Sequence, residues 1–227
     1  MIKIIDKIQY HFIKKIYGDH NSSRRVIKAL TKIIKEMPED GLGLNIGAGL
    51  TYIDPRIKSL DIEKGENIDF VGKAESIPLS DESLDLVICQ EVLEHIQEPW
   101  KAMKEIIRVL KPEGRLYLQV PFIIGFHPCP NDYWRFTSEG IKQVVLESQF
   151  VILESGESVG SATGFYRITV EFFSILFSII LPFMYKPFKA LFALLFYPVK
   201  WLDPLLFISK ESYRISGGYY VICAKKT

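Results

Sequence analysis

After residue 40, short apolar runs alternate with turn residues and with stretches of helical period, the rhythm of βαβ units and a mainly parallel sheet. The pattern predicts strands over Gly43 to Ile46, Ile57 to Asp61, Ile68 to Val71, Leu84 to Cys89, Arg115 to Val120 and Phe150 to Glu154, with a last strand, Gly218 to Ala224, after a long interruption. Helices fit between them. Asn21 or Ser22 offers an N-cap for one that runs to about Met37, where Pro38 and Gly41 end it. Pro99 suits a first helical turn, and Trp100, Met103, Ile106, Ile107 and Leu110 then make an apolar face, closed off by the turn Lys111-Pro112-Glu113-Gly114. Thr137 can cap a further helix from Ser138 to Ser148. At the start of the chain, Ile5, Ile8, Phe12, Ile13 and Ile16 recur at helical spacing against Lys3, Lys7, Lys14 and Lys15. That basic amphipathic helix suits packing on the domain edge, with a membrane-surface or partner-binding role as the other reading.

The rhythm changes between the last two strands. Phe172 to Met184 is almost wholly apolar, and Ala190 to Val199 repeats the pattern after Lys186, Pro187 and Lys189. As helices these pieces are roughly 20 Å and 15 Å long, against a hydrocarbon core of about 30 Å. Joining them into one span would bury two lysines near its middle at about 2.5–3.5 kcal/mol each. A hairpin dipping into one leaflet, or an apolar lid on the domain or on a second subunit, fits better. The whole chain is expected to be one domain: helices over 1–40, a sheet core over 41–160, the apolar insertion over 165–210 and the last strand over 216–227.

Composition narrows the function. With 227 residues and 48% hydrophobic positions, the chain can bury one substantial core. Its 28 Lys and Arg against 27 Asp and Glu leave no net field to recruit nucleic acid, and none is expected as a partner. Cys89, Cys129 and Cys223 lie far apart without a CxxC pair, which argues against a disulfide framework and a closed zinc site. The N-terminus does not read as a secretory signal. The expected location is the cytoplasm, with peripheral contact on the inner face of the membrane through 172–199 as an addition.

The candidate chemistry begins at Leu44-Asn45-Ile46-Gly47-Ala48-Gly49, where two glycines let the backbone turn sharply and approach a ligand closely. Asp61 ends the next strand, where a carboxylate can accept two hydrogen bonds from a ribose diol. The segment Gly72-Lys73-Ala74-Glu75-Ser76-Ile77-Pro78 follows the third strand, where an acidic side chain and backbone amides can read an adenine edge. Cys89-Gln90-Glu91 ends the fourth, on the same carboxyl edge.

The pieces LNIGAG, SLDIE, GKAESIPLSDESLDLVICQEVLEHI and EPWKAMKEIIRVLKPEGRLYLQVPF, in this order, resemble the class I S-adenosylmethionine-dependent methyltransferases, in particular the methyltransferase type 11 group. The resemblance implies an α/β Rossmann-like sheet, mainly parallel with an antiparallel last strand and helices on both faces. It implies S-adenosylmethionine as cofactor, with Gly47, Ala48 and Gly49 beside its methionine part, Asp61 on the ribose, Ala74 and Glu75 near adenine, and Gln90 closing the pocket. Asn45 stands where these proteins usually carry an acid; it can exchange hydrogen bonds but has no charge for an ammonium group. Only a short stretch with Pro55 separates Gly49 from the second strand, so the usual first crossover helix is expected to shrink to a turn. That also disfavours a nicotinamide-dependent oxidoreductase, whose pyrophosphate wants a full helix N-terminus.

The acceptor side falls to the loop from Phe122 to Thr137. His127 is the candidate base, with Asp132 or Tyr133 to orient it, while Glu91 and Arg135 are candidates for contacting the acceptor. Asp132 and Arg135 also suit a plain bracing ion pair, and Trp134 and Phe136 suit the core. His95 reads as a structural hydrogen-bonding residue. The spacing His127-x-Cys129 with Asp132 matches no common metal site, and no metal is expected. The expected reaction is methyl transfer to a small-molecule, lipid-linked or glycan acceptor; a cofactor-binding scaffold without activity is the alternative that Asn45 keeps open.

Overall fold

The computed structural model describes residues 23–226; the expected basic helix over residues 2–17 lies outside them. Seven strands form one sheet: β1 (Gly43–Ile46), β2 (Ile57–Asp61), β3 (Phe70–Val71), β4 (Leu84–Gln90), β5 (Leu110–Pro121), β6 (Phe150–Val159) and β7 (Gly218–Lys225), in the order β3-β2-β1-β4-β5-β7-β6. Pairing is parallel from β3 through β5. The last strand runs the other way: Gly217 N–H donates to Val159 O and Lys226 N–H to Gln149 O, so the partners count down as the chain counts up. This is the mainly parallel Rossmann-like sheet with an antiparallel last strand.

Central strands of such a sheet are covered on both faces and therefore need continuous apolar runs, which β4 supplies with Leu84, Leu86, Val87 and Ile88, all buried. Helix α1 (Arg24–Lys35) buries Val26, Ala29 and Ile33 at helical spacing. Its first turn is capped by Ser23, whose hydroxyl accepts from Val26 N–H at 3.2 Å; the cap is thus one or two residues later than the sequence indicated. Helix α2 (Pro99–Val109) starts on Pro99, as expected, and buries Ala102, Met103, Ile106 and Val109. Trp100 departs from the expected apolar face: it is half exposed and meets the Trp134 ring edge-on at 5.8 Å. Helix α3 (Ser138–Glu147) is capped by Thr137, which accepts from Gly140 N–H.

Several boundaries differ from the reading of the sequence: β3 begins at Phe70 rather than Ile68, β6 runs on to Val159 rather than ending at Glu154, and β5 begins at Leu110 rather than Arg115. The turn Lys111 to Gly114 does not precede β5 but bulges out of it, since Leu110 already pairs with Leu84 before Arg115 resumes with Leu86. Glu113 takes a positive φ there, and a side chain on Gly114 would strike the Lys111 carbonyl. Between Ile46 and Ile57 the crossover is a run of turns without a helix, as the short stretch with Pro55 implied.

The chain forms two compact units. The larger, over 28–121, 126–156 and 219–226 of the described residues, carries most of the sheet. The other comprises 23–27, 122–125 and 157–218. There the expected helix at Phe172 begins at Ser161: α4 (Ser161–Ser178) is followed by α5 (Tyr185–Phe196), which starts before Pro187 because proline is tolerated in a first turn. Tyr166, Val170, Phe192 and Ala193 form the buried seam of this hairpin, and the Tyr166 hydroxyl donates to Ala193 O. Asp203, far along the chain, accepts from the Ala162 and Thr163 N–H groups and so caps α4. At 18 residues α4 is about 27 Å long, and no helix among the described residues is long and apolar enough to cross a membrane.

Candidate active site

The parallel registers bring the expected cofactor residues to one edge. Ile46 pairs with both Leu60 and Cys89, and Asp61 with Val71, so the segments leaving β1, β2, β3 and β4 all emerge at the carboxyl side. The strand order reverses direction between β1 and β4, where open α/β sheets form their ligand crevices. Gly47 and Gly49 both adopt positive φ, +65° and +53°. Their reasons differ. A Cβ on Gly47 would lie 2.3 Å from Val92 Cγ2, whereas one on Gly49 would meet nothing within 4 Å among the described residues. Gly47 is therefore required by packing, and Gly49 faces open space.

Asp61 reaches back to this loop, accepting from Gly49 N–H at 2.8 Å and from Glu63 N–H at 3.1 Å. Next to it, Gly72 N–H donates to Asp61 O, and the tight turn Lys73 to Ser76 sets Ala74 buried and Glu75 half-buried. The turn is held from behind: Glu105 accepts from Ile77 N–H at 2.9 Å, while Arg108 donates to the Ile77 and Leu79 carbonyls and to Glu105 and Asp81. Asn45 and Ala48 are buried, and the Gln90 amide donates to Gln119 Oε1 across β4 and β5 at 3.2 Å.

Beyond Gln90 the chain bends sharply. Glu91 takes φ of +55°, a left-handed conformation that costs a side-chain-bearing residue about 1–2 kcal/mol. Gln119 holds it there, accepting from Glu91 N–H and donating Nε2–H to Glu91 Oε1 at 3.0 Å. This bend leads into the short turn Leu93–His95, where Glu94 is completely buried. The acceptor-side loop closes over it, because Tyr133 N–H donates to Glu94 O at 2.8 Å and Trp134 Nε1–H to Ile96 O.

His127 and Asp132 meet as expected. Asp132 accepts from the His127 backbone N–H at 2.9 Å and lies 3.4 Å from its Nδ1. Arg135 pairs with both Asp132 oxygens, which is the bracing ion pair, and its hydrogen bonds hold the Asp132 carboxyl down at about 2. The Tyr133 side chain is half exposed, and Phe136 belongs to the core. The sequence singled out neither Glu94 nor its grouping with the two histidines. His95 Nε2 and His127 Nε2 lie 3.5 Å and 3.8 Å from Glu94 Oε1, and the two imidazoles meet edge-on at 5.2 Å. Burial pushes the Glu94 carboxyl up to about 7 and pushes His95 below the ordinary imidazole value. The available signal was Glu91-x-x-Glu94-His95 directly after a strand that ends on the ligand-binding edge.

Residues 42–118 match a family model described as a methyltransferase domain. An uncharacterized methyltransferase of Schizosaccharomyces pombe is 45% identical over 94 residues, covering 40% of this chain and 34% of its own. The YcgJ methyltransferase of Bacillus subtilis, also uncharacterized, is 40% identical over 72 residues, covering 31% and 26%. The chain spans between about a fifth and about half of the length of curated relatives such as these. Among solved structures, the 1,6-didemethyltoxoflavin-N1-methyltransferase of Burkholderia thailandensis, bound to S-adenosylhomocysteine, superimposes with a TM-score of 0.56 at 15% identity, over 100% of this chain and 87% of that one. With the glycine loop, the acidic end of β2 and the strand order all in place, residues 42–118 match a methyltransferase domain, and the sheet has the Rossmann-like fold of the solved methyltransferases.

Proposed function

We propose that the protein transfers a methyl group from S-adenosylmethionine to a small-molecule, lipid-linked or glycan acceptor. The observation that carries this reading is the joining of Gly49 to Asp61 at the carboxyl edge of β1 and β2. It sets the backbone of the glycine loop beside a carboxylate whose remaining lone pairs suit a ribose diol. Gly47, Ala48 and Gly49 then take the methionine part, with Asn45 donating or accepting hydrogen bonds below it. Ala74 and Glu75 take the adenine, and Gln90 closes the cradle.

Methyl transfer from a sulfonium is an in-line displacement: the acceptor forms its bond to carbon as the S–CH3 bond breaks and its electrons return to sulfur. The protein's work is alignment at about 3–3.5 Å and exclusion of water. An acceptor hydroxyl or ammonium must also lose a proton, and His127, positioned by Asp132 with Tyr133 beside it, is the group to receive it. Glu91 and Arg135 border the acceptor. The apolar tip of the α4–α5 hairpin, with Ile179, Ile180 and Phe183 exposed, supports peripheral contact with the inner face of the membrane by a cytoplasmic protein.

Titration calorimetry tests the cofactor assignment. S-adenosylmethionine and S-adenosylhomocysteine should bind the purified chain, and nicotinamide dinucleotides should not; the reverse pattern rejects the reading. Transfer of label from methyl-labelled cofactor into a lysate, followed by mass spectrometry of the product, separates an enzyme from an inactive scaffold and identifies the acceptor.

A further inference from the structure

Methyl transfer as described makes no use of Glu94. Its side chain is fully buried, yet among the described residues neither carboxyl oxygen has a hydrogen-bond partner. Burying such a group unpaired is expensive, so its surroundings should contain something that compensates. What faces it is a pair of imidazole nitrogens.

The tautomers follow from their outer partners. His95 Nδ1 lies 2.6 Å from Asn131 O, and a carbonyl can only accept, so Nδ1 carries the hydrogen. The neutral His95 ring therefore presents its Nε2 lone pair to Glu94. Asp132 Oδ2 stands 3.4 Å from His127 Nδ1. Arg135 Nη2 has a second hydrogen beside the one it gives to Asp132 and donates it to His127 Nδ1 at 3.2 Å, so the neutral His127 ring carries its hydrogen on Nε2. That Nε2–H stands 3.8 Å from Glu94 Oε1, beyond hydrogen-bond reach. A buried carboxyl, the His95 lone pair and His127 Nε2 thus converge, and a cation that displaces the Nε2 hydrogen to solvent would meet all three.

We propose that Glu94, His95 and His127 form a binding site for a divalent first-row transition cation. Their donor atoms all lie within 4.8 Å of one another. Ligands about 2.0–2.1 Å from a tetrahedral ion stand roughly 3.4 Å apart, so binding requires a contraction that the partly exposed His127 side chain can make. Two imidazoles and one carboxylate favour zinc, iron, cobalt or manganese over magnesium or calcium, whose sites are built from oxygen. The Asn131 carbonyl and Asp132 form the outer shell that fixes each ring. Three protein ligands leave a position open, as catalytic rather than structural sites do. On the methyl-transfer reading, that position takes an acceptor oxygen, and His127 then serves as a ligand while the cation promotes loss of the acceptor proton.

The full-length chain, stripped with a chelator and dialysed, is titrated with Co2+ and the visible ligand-field absorption is followed. One Co2+ should bind per chain, Zn2+ should displace it, and Mg2+ in excess should not. Glu94→Gln, His95→Asn and His127→Ala should each weaken binding by about a hundredfold or more, with circular dichroism confirming that each variant is folded. His127→Ala guards against loss of fold, because its side chain is one-third exposed. Absence of saturable Co2+ and Zn2+ binding by the folded wild type, or unchanged affinity in the folded variants, overturns the proposal. S-adenosylmethionine binding, measured on the same samples with and without chelator, reports separately on the cofactor cradle: its failure beside intact Co2+ binding would reject the cofactor reading and leave the metal site standing.

Discussion

Gly49 and Asp61 are joined by a hydrogen bond of 2.8 Å from backbone N–H to carboxylate, which ties the loop after β1 to the end of β2. The same carboxylate is assigned to the ribose. Asp61→Asn keeps the size and removes the charge, so it should lower affinity for S-adenosylhomocysteine by roughly tenfold to a hundredfold, the equivalent of about 1.5–3 kcal/mol for hydrogen bonds to a charged group. Calorimetry measures it. Unchanged affinity would detach Asp61 from the site.

The two loop glycines should separate by phenotype. Gly47→Ala meets Val92 and a positive φ together, and should cost about 2–4 kcal/mol of stability. Gly49→Ala faces only the backbone penalty, about 1–2 kcal/mol, but places a methyl group where the cofactor is expected. Thermal melts with and without S-adenosylmethionine should show Gly47→Ala as the less stable protein and Gly49→Ala as the one that loses cofactor-induced stabilisation. Equal melting points would contradict the packing account.

Glu105 holds the turn after β3, to which we assign the adenine, through Ile77 N–H, and its hydrogen bonds to Arg108 keep its carboxyl below the usual glutamate value of 4.5. A depressed folded pKa means that the unfolded chain binds the proton more readily. The stabilisation is fully present above the unfolded value and fades as pH falls through the folded one. Glu105→Gln should therefore cost about 1–2 kcal/mol near pH 7, after allowance for its partial exposure, and almost nothing near pH 2. Denaturation midpoints across that range test the sign; a constant difference at all pH values would refute it.

The hairpin tip is separable from the hairpin core. Ile180 and Phe183 are 86% and 77% exposed, whereas Tyr166, Val170 and Phe192 are buried. Ile180→Glu with Phe183→Glu should leave the melting temperature nearly unchanged and sharply reduce co-flotation with anionic liposomes. Flotation equal to wild type would favour the lid or the subunit interface.

Much of the sheet was legible because its strands are short apolar runs closed by turn residues, and β1 and β2 begin and end where that pattern put them. Cofactor-side candidates were legible too, since Gly47, Asp61 and Gly72 each directly follow or end a strand, and parallel pairing aligns strand ends. Long-range cooperation was not. The start of α4 depends on Asp203, and the pairing of Leu110 with Leu84 turns an ordinary proline–glycine turn into a bulge. Glu94 was hidden for the same reason. Its isolation comes from His127 and the backbone of Tyr133, more than thirty positions away, and no local spacing announces it.

Of the three cysteines, Cys89 and Cys223 are buried and burial pushes both thiols far up, while Cys129 is exposed. Cys129 sits between His127 and Asn131, in the segment that wraps Glu94. A maleimide dye should therefore attach at this one position in the native protein, giving a fluorescent reporter beside the acceptor side without any mutation.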